Sequence, residues 1–379
     1  MHKKKHRYLT EDRGFAIRQM NNLSEKDFKI MFRMSRASFE ILLEKVTPLI
    51  QVQENFAILS SGSLISNTTK LAVTLRWLAG GIYLDLCFAW AISKSGFYQC
   101  ELWPTIQALD KVLKIGFPTE EEALNSLAAS FSKHSNGILN GCVMAIDGLL
   151  IRTRKPTAKE VRIPMAYRNR KGCFGILVMA GCDIDGRFLM SVVNNSGGTH
   201  DVLAFETSEF YNYLVNGGLA DKFFIIGDEA FNCTNQVLTP WPGRGLGRWE
   251  DSFNYWLSHS RQCIERAFGM LVARWGVLWR KFEFSYSKWS LVTTVLMKLH
   301  NFCIDRNEIE IPKRFHEDIL PDDRGEVHLG GGGIDENGNL TEPPVRIRAQ
   351  GSRRSSITTT LELEGTGRPP HAQINSRAR

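Results

Sequence analysis

Three acidic side chains stand where they could act together in chemistry. Asp147 follows the apolar segment GCVMAI, and Asp228 follows the apolar segment KFFIIG. Both segments are predicted as strands that end at the acid, and strand ends are where α/β sheets place reactive groups. Glu265 lies on a long helix predicted over residues 253–278. Acids from these separate elements can therefore converge at one edge of a sheet.

Converged carboxylates repel one another and lose hydration unless a cation neutralises them. Mg²⁺ and Mn²⁺ prefer oxygen ligands. Two such ions about 4 Å apart can activate a water and stabilise the leaving oxygen of a phosphodiester. The pattern favours such a site at Asp147, Asp228 and Glu265. The alternatives are a turn residue for each Asp, and a surface pair with Arg261 for Glu265.

The remaining acids near these segments have simpler interpretations. Asp183 and Asp185 are predicted as residues of a hairpin turn. His200 and Asp201 are predicted to cap the helix that begins at Asp201. Glu229, beside Asp228, is left unassigned.

Basic residues are concentrated between Gly148 and Gly172, where the one acid is Glu160. They are Arg152, Arg154, Lys155, Lys159, Arg162, Arg168, Arg170 and Lys171. A charge run of this kind is usually a solvated face. Because it directly follows a candidate metal ligand, it also fits a surface that meets a phosphate backbone.

The composition is that of a globular protein with a preference for polyanions. The chain has 379 residues, a net charge of +7 and a sequence pI near 9.0. Its eight cysteines form no CxxC pair, which disfavours a zinc finger and favours a reducing, intracellular compartment. The apolar stretch 71–92 is interrupted by Arg76 and Asp85, so no membrane span is predicted. The N-terminal HKKKHR does not resemble a signal peptide.

The N-terminal part is predicted to be helical. Residues 1–25 are predicted as a basic flexible arm and 26–130 as an all-α, helix-turn-helix-like DNA-binding region. Ser35 is a predicted N-cap, and Ser93 is a second one, after a short helix and a turn. Pro104 is expected to kink or end the helix that starts at Ser93. A small helical bundle would show the same pattern.

The C-terminal part is predicted as a mixed sheet flanked by helices, over residues 135–305. Its predicted elements are strand 141–147, a hairpin over 172–195 that turns at Asp185-Gly186, a helix over 201–214, the strand before Asp228, and two final helices. Residues 306–379 are polar and rich in Gly and Pro, which predicts a largely disordered tail.

An ordered series of motifs resembles one known family. The motifs are IGFPTEEEALNSLAASF, AIDGLLIRTRKP, YRNRKG, SGGTHD, GDEAF, LTPWPG, HSRQCIERAFGMLVARW and KLHNFCID. Their order from about Phe28 to Arg306 resembles that of the PIF/Harbinger transposases, which are DDE-type nucleases. The resemblance implies an RNase H-like domain with Asp147, Asp228 and Glu265 as catalytic and metal-binding triad. The 36 residues between Asp228 and Glu265 suit the family's spacing.

The resemblance also implies an activity and partners. Two divalent ions, Mg²⁺ or Mn²⁺, would serve to hydrolyse double-stranded DNA at transposon terminal repeats and to join the 3′-OH to an A·T-rich target. A Myb-like partner protein, a homo-oligomer on DNA and a nuclear location are expected. A domesticated, non-catalytic DNA-binding protein is the alternative.

The candidate DNA-binding residues combine the basic run with other positions. They are Arg152, Arg154, Lys155, Arg168, Arg170, Lys171, Arg261 and Arg274, with Ser93, Lys94 and Ser95 at the helix-turn-helix. The chain departs from the family at two positions. Val272 stands where many DDE transposases carry a basic residue, and Glu229 stands where small residues are usual.

Overall fold

A computed structural model describes residues 13–51, 65–308, 352–365 and 367–369. This part of the chain divides into two compact units. The helical unit contains described residues 13–51, 65–115, 152–154 and 269–308. The sheet unit contains residues 116–151, 155–268 and the described residues from 352 onward.

The described residues form helices in both units and a five-stranded sheet. The helices are α1 (Arg13–Asn22), α2 (Glu25–Phe32), α3 (Arg36–Ile50), α4 (Asn67–Leu78), α5 (Tyr83–Ala89), α6 (Lys94–Gly96), α7 (Trp103–Val112), α8 (Glu121–His134), α9 (Asp201–Glu206), α10 (Glu209–Val215), α11 (Arg248–Arg274), α12 (Trp289–Asp305) and α13 (Ser352–Glu364). The strands are β1 (Cys142–Arg152), β2 (Gly175–Cys182), β3 (Phe188–Ser196), β4 (Phe224–Ile226) and β5 (Val237–Leu238).

The helical unit is built around an aromatic core. Ser35 caps α3 as predicted, because its side chain accepts a hydrogen bond from the Ser38 N–H. Phe39, on the buried stripe of α3, packs its ring 5.5 Å from that of Phe28 and 5.7 Å from that of Phe32. The same side of each helix thus supplies the core, as the spacing predicts.

The segment predicted as a helix-turn-helix is locally regular. Ser93 caps α6 by accepting from the Gly96 N–H, as predicted. A π-helical segment, Phe97–Leu102, then leads directly into α7. Pro104 therefore does not end the helix, because the helical backbone is continuous from α6 through the π-helical segment into α7. The DNA-binding role of this segment stays a prediction.

The sheet unit contains a five-stranded mixed sheet flanked by helices, as predicted and consistent with an RNase H-like arrangement. The strand order is β3-β2-β1-β4-β5. β4 is parallel to both β1 and β5, and β2 is antiparallel to β3. The β2–β3 hairpin is also as predicted, but its turn is centred on Ile184–Asp185, because the Gly186 N–H donates to the Asp183 carbonyl, and Gly186 follows with a φ of +87°. Helix α11 packs against the hairpin, since the Phe268 ring lies 5.9 Å from the Phe188 ring.

Several element boundaries differ from the predicted ones. β1 continues to Arg152 and does not end at Asp147. The predicted helix over 201–214 is two helices, because Ser208 starts α10 by accepting from the Tyr211 N–H. The division of the chain also differs from 26–130 and 135–305. Helix α8 belongs to the sheet unit, where Leu124 and Ala128 join its hydrophobic core.

The predicted arm and tail fall largely outside the described residues. Of the arm, 1–12 lie outside, and Arg13–Asn22 form α1. Of the tail, the structure describes residues 306–308 and the segment around α13. Leu361 of α13 is 1% exposed, so this helix is packed within its unit. No helix of the described part is long and apolar enough to cross a membrane.

Candidate active site

Asp147 and Asp228 lie at the same level of the sheet, on neighbouring strands. β1 and β4 are parallel, and Ala145 is paired with Ile226. Each acid is two residues beyond that pair. Asp147 therefore lies within β1, which extends past the carboxyl end of β4. Asp228, which follows β4, still lies beside it. The predicted convergence of these two acids does not need β1 to end at Asp147.

The Asp147 carboxylate is held in place by its surroundings. It is 1% exposed, and its Oδ1 accepts from the Gly148 N–H at 2.8 Å. Burial raises the pKa of Asp147 to about 8, and the charges of Asp228 and Asp201 also raise it, while Arg261 and the Gly148 N–H oppose the rise. The turn interpretation of Asp147 is wrong, since the residue lies in the middle of a buried strand.

Glu265 is connected to Asp147 through Arg261. Arg261 Nη1 donates to Asp147 Oδ2 at 2.8 Å, and its Nη2 donates to Glu265 Oε1. Burial would lower the pKa of Arg261, but Asp147, Glu265 and Asp228 together raise it. The predicted pair of Arg261 with Glu265 exists, but it is not a surface pair, because the same guanidinium binds the buried acid.

Asp228 closes a tight turn after β4. Its Oδ1 accepts from the Ala230 N–H at 2.9 Å, and its backbone carbonyl accepts from the Phe231 N–H at 3.3 Å. Asp228 is partly exposed, whereas Glu229 is exposed. The two interpretations of Asp228, as a turn residue and as an active-site acid, are therefore compatible, because the turn is stabilised through one of its two carboxylate oxygens.

Asp201 is a fourth acid of the cluster, and sequence reasoning misses it. It begins α9, directly after β3 and the SGGTH segment, and is 2% exposed. Burial, followed by the charge of Asp228, raises the pKa of Asp201 to about 7, while Arg170 lowers it. The predicted cap is wrong, since His200 makes no side-chain capping bond and neither Asp201 oxygen accepts a hydrogen bond.

A signal for Asp201 is present in the sequence. Like Asp228, it follows a strand, and two glycines precede it. Gly197 donates its N–H to the Gly175 carbonyl, and Gly198 donates to the Ala166 carbonyl, each at 2.9 Å. A Cβ at either glycine would lie within 3 Å of a backbone oxygen. The two glycines are therefore required where the chain passes the basic loop.

The donor set fits a hard divalent ion. All four acids offer carboxylate oxygens, which are the ligands that Mg²⁺ and Mn²⁺ prefer. Within the described residues, no group of three or more His, Cys, Asp or Glu side chains is gathered as a ligand set. The guanidinium of Arg261 lies between Asp147 and Glu265 and supplies positive charge there. The buried Asp201 oxygens, which have no donor among the described residues, remain available to a cation.

Most residues of the basic run are exposed. In the sheet unit these are Lys155, Lys159, Arg162, Arg168, Arg170 and Lys171. The Asn169 side chain shapes the loop that carries the last three, since its Oδ1 accepts from the Lys171 and Cys173 N–H groups. In the helical unit Arg152 is exposed, and Arg154 is half-buried with its guanidinium 5.5 Å from the centre of the Trp289 ring.

Two arginines predicted to bind DNA have other roles in the structure. Arg261 lies among the acids. Arg274 is 4% exposed and donates to the backbone carbonyls of Arg33 and Glu308, so it does not face a DNA phosphate. Val272, seven positions after Glu265, is half-buried. At the predicted helix-turn-helix, Ser93 is occupied as a cap, while Lys94 and Ser95 are exposed.

Comparisons with known proteins concern the family that the chain resembles and do not test the individual site residues. Residues 146–301 match the sequence model of a family described as DDE superfamily endonuclease. The matched segment contains all four acids. The protein named "Protein ALP1-like" from Arabidopsis thaliana is 23% identical over 316 residues, which cover 78% of this chain and 75% of that protein. No solved structure matches the chain.

Proposed function

Because residues 146–301 match the sequence model of the DDE superfamily endonucleases, we propose that this chain is a metal-dependent DNA endonuclease of the PIF/Harbinger transposase type. It hydrolyses double-stranded DNA at transposon terminal repeats and joins the 3′-OH to an A·T-rich target. The observation that carries the proposal is the convergence of Asp147 and Asp228 from two parallel strands, with Glu265 connected to Asp147 through Arg261.

Asp147, Asp228 and Glu265 are the residues that hold two divalent ions, Mg²⁺ or Mn²⁺. When bound, such ions activate a nucleophilic oxygen and stabilise the leaving oxygen of a phosphodiester. The sheet contributes a rigid position for Asp147, whose carboxylate is fixed by the Gly148 N–H. Arg261 keeps Asp147 and Glu265 oriented towards each other and limits their repulsion.

DNA positioning is assigned to exposed cations. In the sheet unit, Lys155, Arg168, Arg170 and Lys171 meet backbone phosphates, and Arg170 is near enough to the acids to lower the pKa of Asp201. In the helical unit, Arg152, Arg154 and the segment Ser93-Lys94-Ser95 contact DNA. We further propose a Myb-like partner protein, a homo-oligomer on DNA and a nuclear location.

A second candidate is a domesticated, non-catalytic DNA-binding protein. This candidate is favoured by two residues of α11 that follow Glu265, Val272 and Arg274. Val272 replaces the basic residue usual in DDE transposases, and Arg274 is occupied by backbone carbonyls. In this case the acids and Arg261 remain as a structural ion network, and the exposed basic residues alone bind DNA.

Nicking of supercoiled plasmid in Mn²⁺ separates the two candidates. Wild type is compared with Asp147→Asn, Asp228→Asn and Glu265→Gln, and Asp183→Asn serves as control. Asp183 is a matched acid because its Oδ1 alone accepts from the Asp185 and Arg187 N–H groups, which an Asn oxygen can also do. The nuclease predicts nicking that is lost in the three variants and kept in the control. Equal nicking by all proteins, or none even on terminal-repeat DNA with the partner protein, contradicts it.

A further inference from the structure

The sequence motif LTPWPG contains none of the acids of the proposed site. It begins at Leu238, the last residue of β5, and leads into residues 242–247, which we call the PGRGLG loop. The loop ends where α11 begins, at Arg248. Over residues 240–249 the chain carries two arginines, Arg244 and Arg248, and no acidic residue.

The chain that leads into the loop leaves the sheet at the edge where Asp228 lies. β4 and β5 are parallel, so their carboxyl ends are at the same edge. The Gly227 N–H donates to the Leu238 carbonyl at 3.0 Å. Since Asp228 directly follows Gly227, the segment after β5 starts beside this acid of the proposed site.

Both ends of the loop are fixed to α11. Before the loop, the Trp241 N–H donates to Asn254 Oδ1 at 2.7 Å, and Asn254 Nδ2 donates to the Trp241 carbonyl at 3.0 Å. At its other end, the Gly247 N–H donates to Glu250 Oε2 at 3.0 Å. The loop is therefore held in a defined position, and the first acid that follows it already binds the loop itself.

The position of these attachments along α11 gives the distance from the proposed site. Asn254 and Arg248 precede Arg261, whose guanidinium binds Asp147. The helical rise of 1.5 Å per residue places them about 10 Å and about 20 Å along the axis from Arg261. Phosphates of one DNA strand are about 3.4 Å apart. A strand that is bound at the acids and follows α11 therefore reaches the loop about three to six nucleotides away.

The loop has the chemistry of a phosphate-binding surface. Arg244 and Arg248 are exposed, and a guanidinium binds phosphate oxygens through two parallel hydrogen bonds. Gly243 and Gly245 have φ angles of +103° and +72°, and an added Cβ would meet open space at both positions. Exposed glycines allow another molecule to approach the backbone closely.

An ordinary solvated turn explains only part of this arrangement. It accounts for the glycines, but it requires neither the attachments at both ends nor a pair of arginines without an acid among them. The guanidinium of Arg248 lies 4.7 Å from the centre of the Trp249 ring, a contact that leaves its positive charge unneutralised. The position at the edge of Asp228 is also unexplained by a turn alone.

We propose that the PGRGLG loop binds the phosphate backbone of double-stranded DNA in the flank beside the proposed cleavage site, through Arg244 and Arg248. The inference rests on the proposed function, which supplies the DNA. It extends that function, because the cations assigned to DNA there lie in the basic run after Gly148 and in the helical unit. The loop follows β5 and adds a separate contact.

The test is the salt dependence of DNA binding, measured in EDTA by fluorescence anisotropy with a labelled A·T-rich duplex. The full chain is compared with Arg244→Gln, Arg248→Gln and the double variant. Each phosphate contact contributes about 0.9 to the slope of log K against log salt concentration. We expect the slope to decrease by about 0.9 for each arginine removed and by about 1.8 in the double variant.

Lys222→Gln is the matched control. Lys222 is also an exposed cation of the sheet unit, but it precedes β4 and so lies at the opposite end of that strand from Asp228. This variant should keep the wild-type slope. The double substitution of Arg244 and Arg248 by Lys, which keeps both charges, should also keep it.

The outcomes separate this inference from the proposed function. A wild-type slope in the double Gln variant overturns the role of the loop, whereas the proposed nuclease is decided by the plasmid assay. An equal decrease in Lys222→Gln shows a general effect of charge and also overturns the role. A wild-type protein that does not bind the duplex overturns it as well. Circular dichroism checks folding, and Ser replaces Gln at either arginine if a Gln variant does not fold.

Discussion

Arg261 Nη1 donates to Asp147 Oδ2 at 2.8 Å, and the same guanidinium binds Glu265. An arginine thus connects a buried acid of the central strand with an acid on the helix that covers the sheet. Its side chain is 17% exposed, compared with 2% for Asp147. These acids therefore have their own counter-ion, and a divalent ion at the proposed site would have to share the carboxylates with it.

The first prediction concerns Arg261→Gln. Without metal this variant loses the positive charge that offsets a buried carboxylate, a change that typically costs about 3–5 kcal/mol. We expect a clearly lower Tm in EDTA. Saturating Mn²⁺ should restore most of the loss, so the Tm increase on adding Mn²⁺ is larger than in wild type. Differential scanning calorimetry measures both.

Arg266→Gln is the control on the same helix, since Arg266 donates to the Ile184 carbonyl and to none of the acids. Its response to Mn²⁺ should equal that of wild type. An Arg261→Gln protein that keeps the wild-type Tm in EDTA, or gains no more from Mn²⁺ than wild type, contradicts the counter-ion role.

The second prediction is that metal-free stability falls as pH rises from about 5 to 8. The pKa of Asp201 is raised to about 7 and that of Asp147 to about 8. In this window the folded state holds protons that the unfolded state, with ordinary Asp pKa values near 4, has released. The folded state binds more protons, so the free energy of unfolding decreases with pH, by an amount on the order of a few kcal/mol.

Urea unfolding in EDTA at pH 5, 6, 7 and 8 checks this dependence. Asp201→Asn should show a smaller decrease than wild type and should be the more stable protein at pH 8, because the amide has no charge to bury. Asp85→Asn, which changes an exposed acid of the helical unit, should behave like wild type. The same pH slope in Asp201→Asn and wild type would mean that Asp201 ionises freely in the fold.

The sequence predicts those features that depend on neighbours along the chain. Ser35 and Ser93 are recognisable as caps because the cap and its N–H donor are three residues apart. The β2–β3 hairpin is recognisable from the pair Asp185-Gly186, although the turn itself is centred one residue earlier, on Ile184–Asp185. The acids Asp147 and Asp228 are recognisable because a carboxylate after an apolar run is visible in the sequence itself.

Features set by distant contacts are not predictable in the same way. β1 passes Asp147 and continues to Arg152, whereas its neighbour β4 ends at Ile226. Arg274 resembles a DNA contact in the sequence, but carbonyls at Arg33 and Glu308 bind it. Asp201 resembles a cap, and only the fold brings it against Gly148. The spacing of residues along the sequence does not predict these contacts, because the residues that form them are far apart in the chain.

The third prediction concerns α13, in the segment predicted as disordered. The Arg354 guanidinium lies 3.9 Å from the centre of the Trp241 ring, and its Nη1 donates to the Pro240 carbonyl at 3.0 Å. Arg354→Ala removes both contacts, worth about 1–3 kcal/mol together. We expect faster cleavage after Glu362 by a Glu-specific protease. Thr359→Ala, at an exposed position of the same helix, should leave the rate unchanged. Equal rates for Arg354→Ala and wild type would show that this contact does not hold the helix.

The last prediction tests the contact between Gly148 and Asp201. Gly148→Ala places a Cβ 2.4 Å from Asp201 Oδ1 and 3.2 Å from Leu177 Cδ1, so the carboxylate or the strand has to move. We expect Gly148→Ala to lower the free energy of unfolding by about 1–3 kcal/mol. In an Asp201→Ala background the space is vacant, and the same substitution should cost much less. The coupling energy from this double-mutant cycle, measured by urea unfolding in EDTA at pH 6, should exceed about 0.5 kcal/mol. Additive effects would mean that the two side chains do not meet, and the position of Asp201 beside Asp147 would lose its main geometric support.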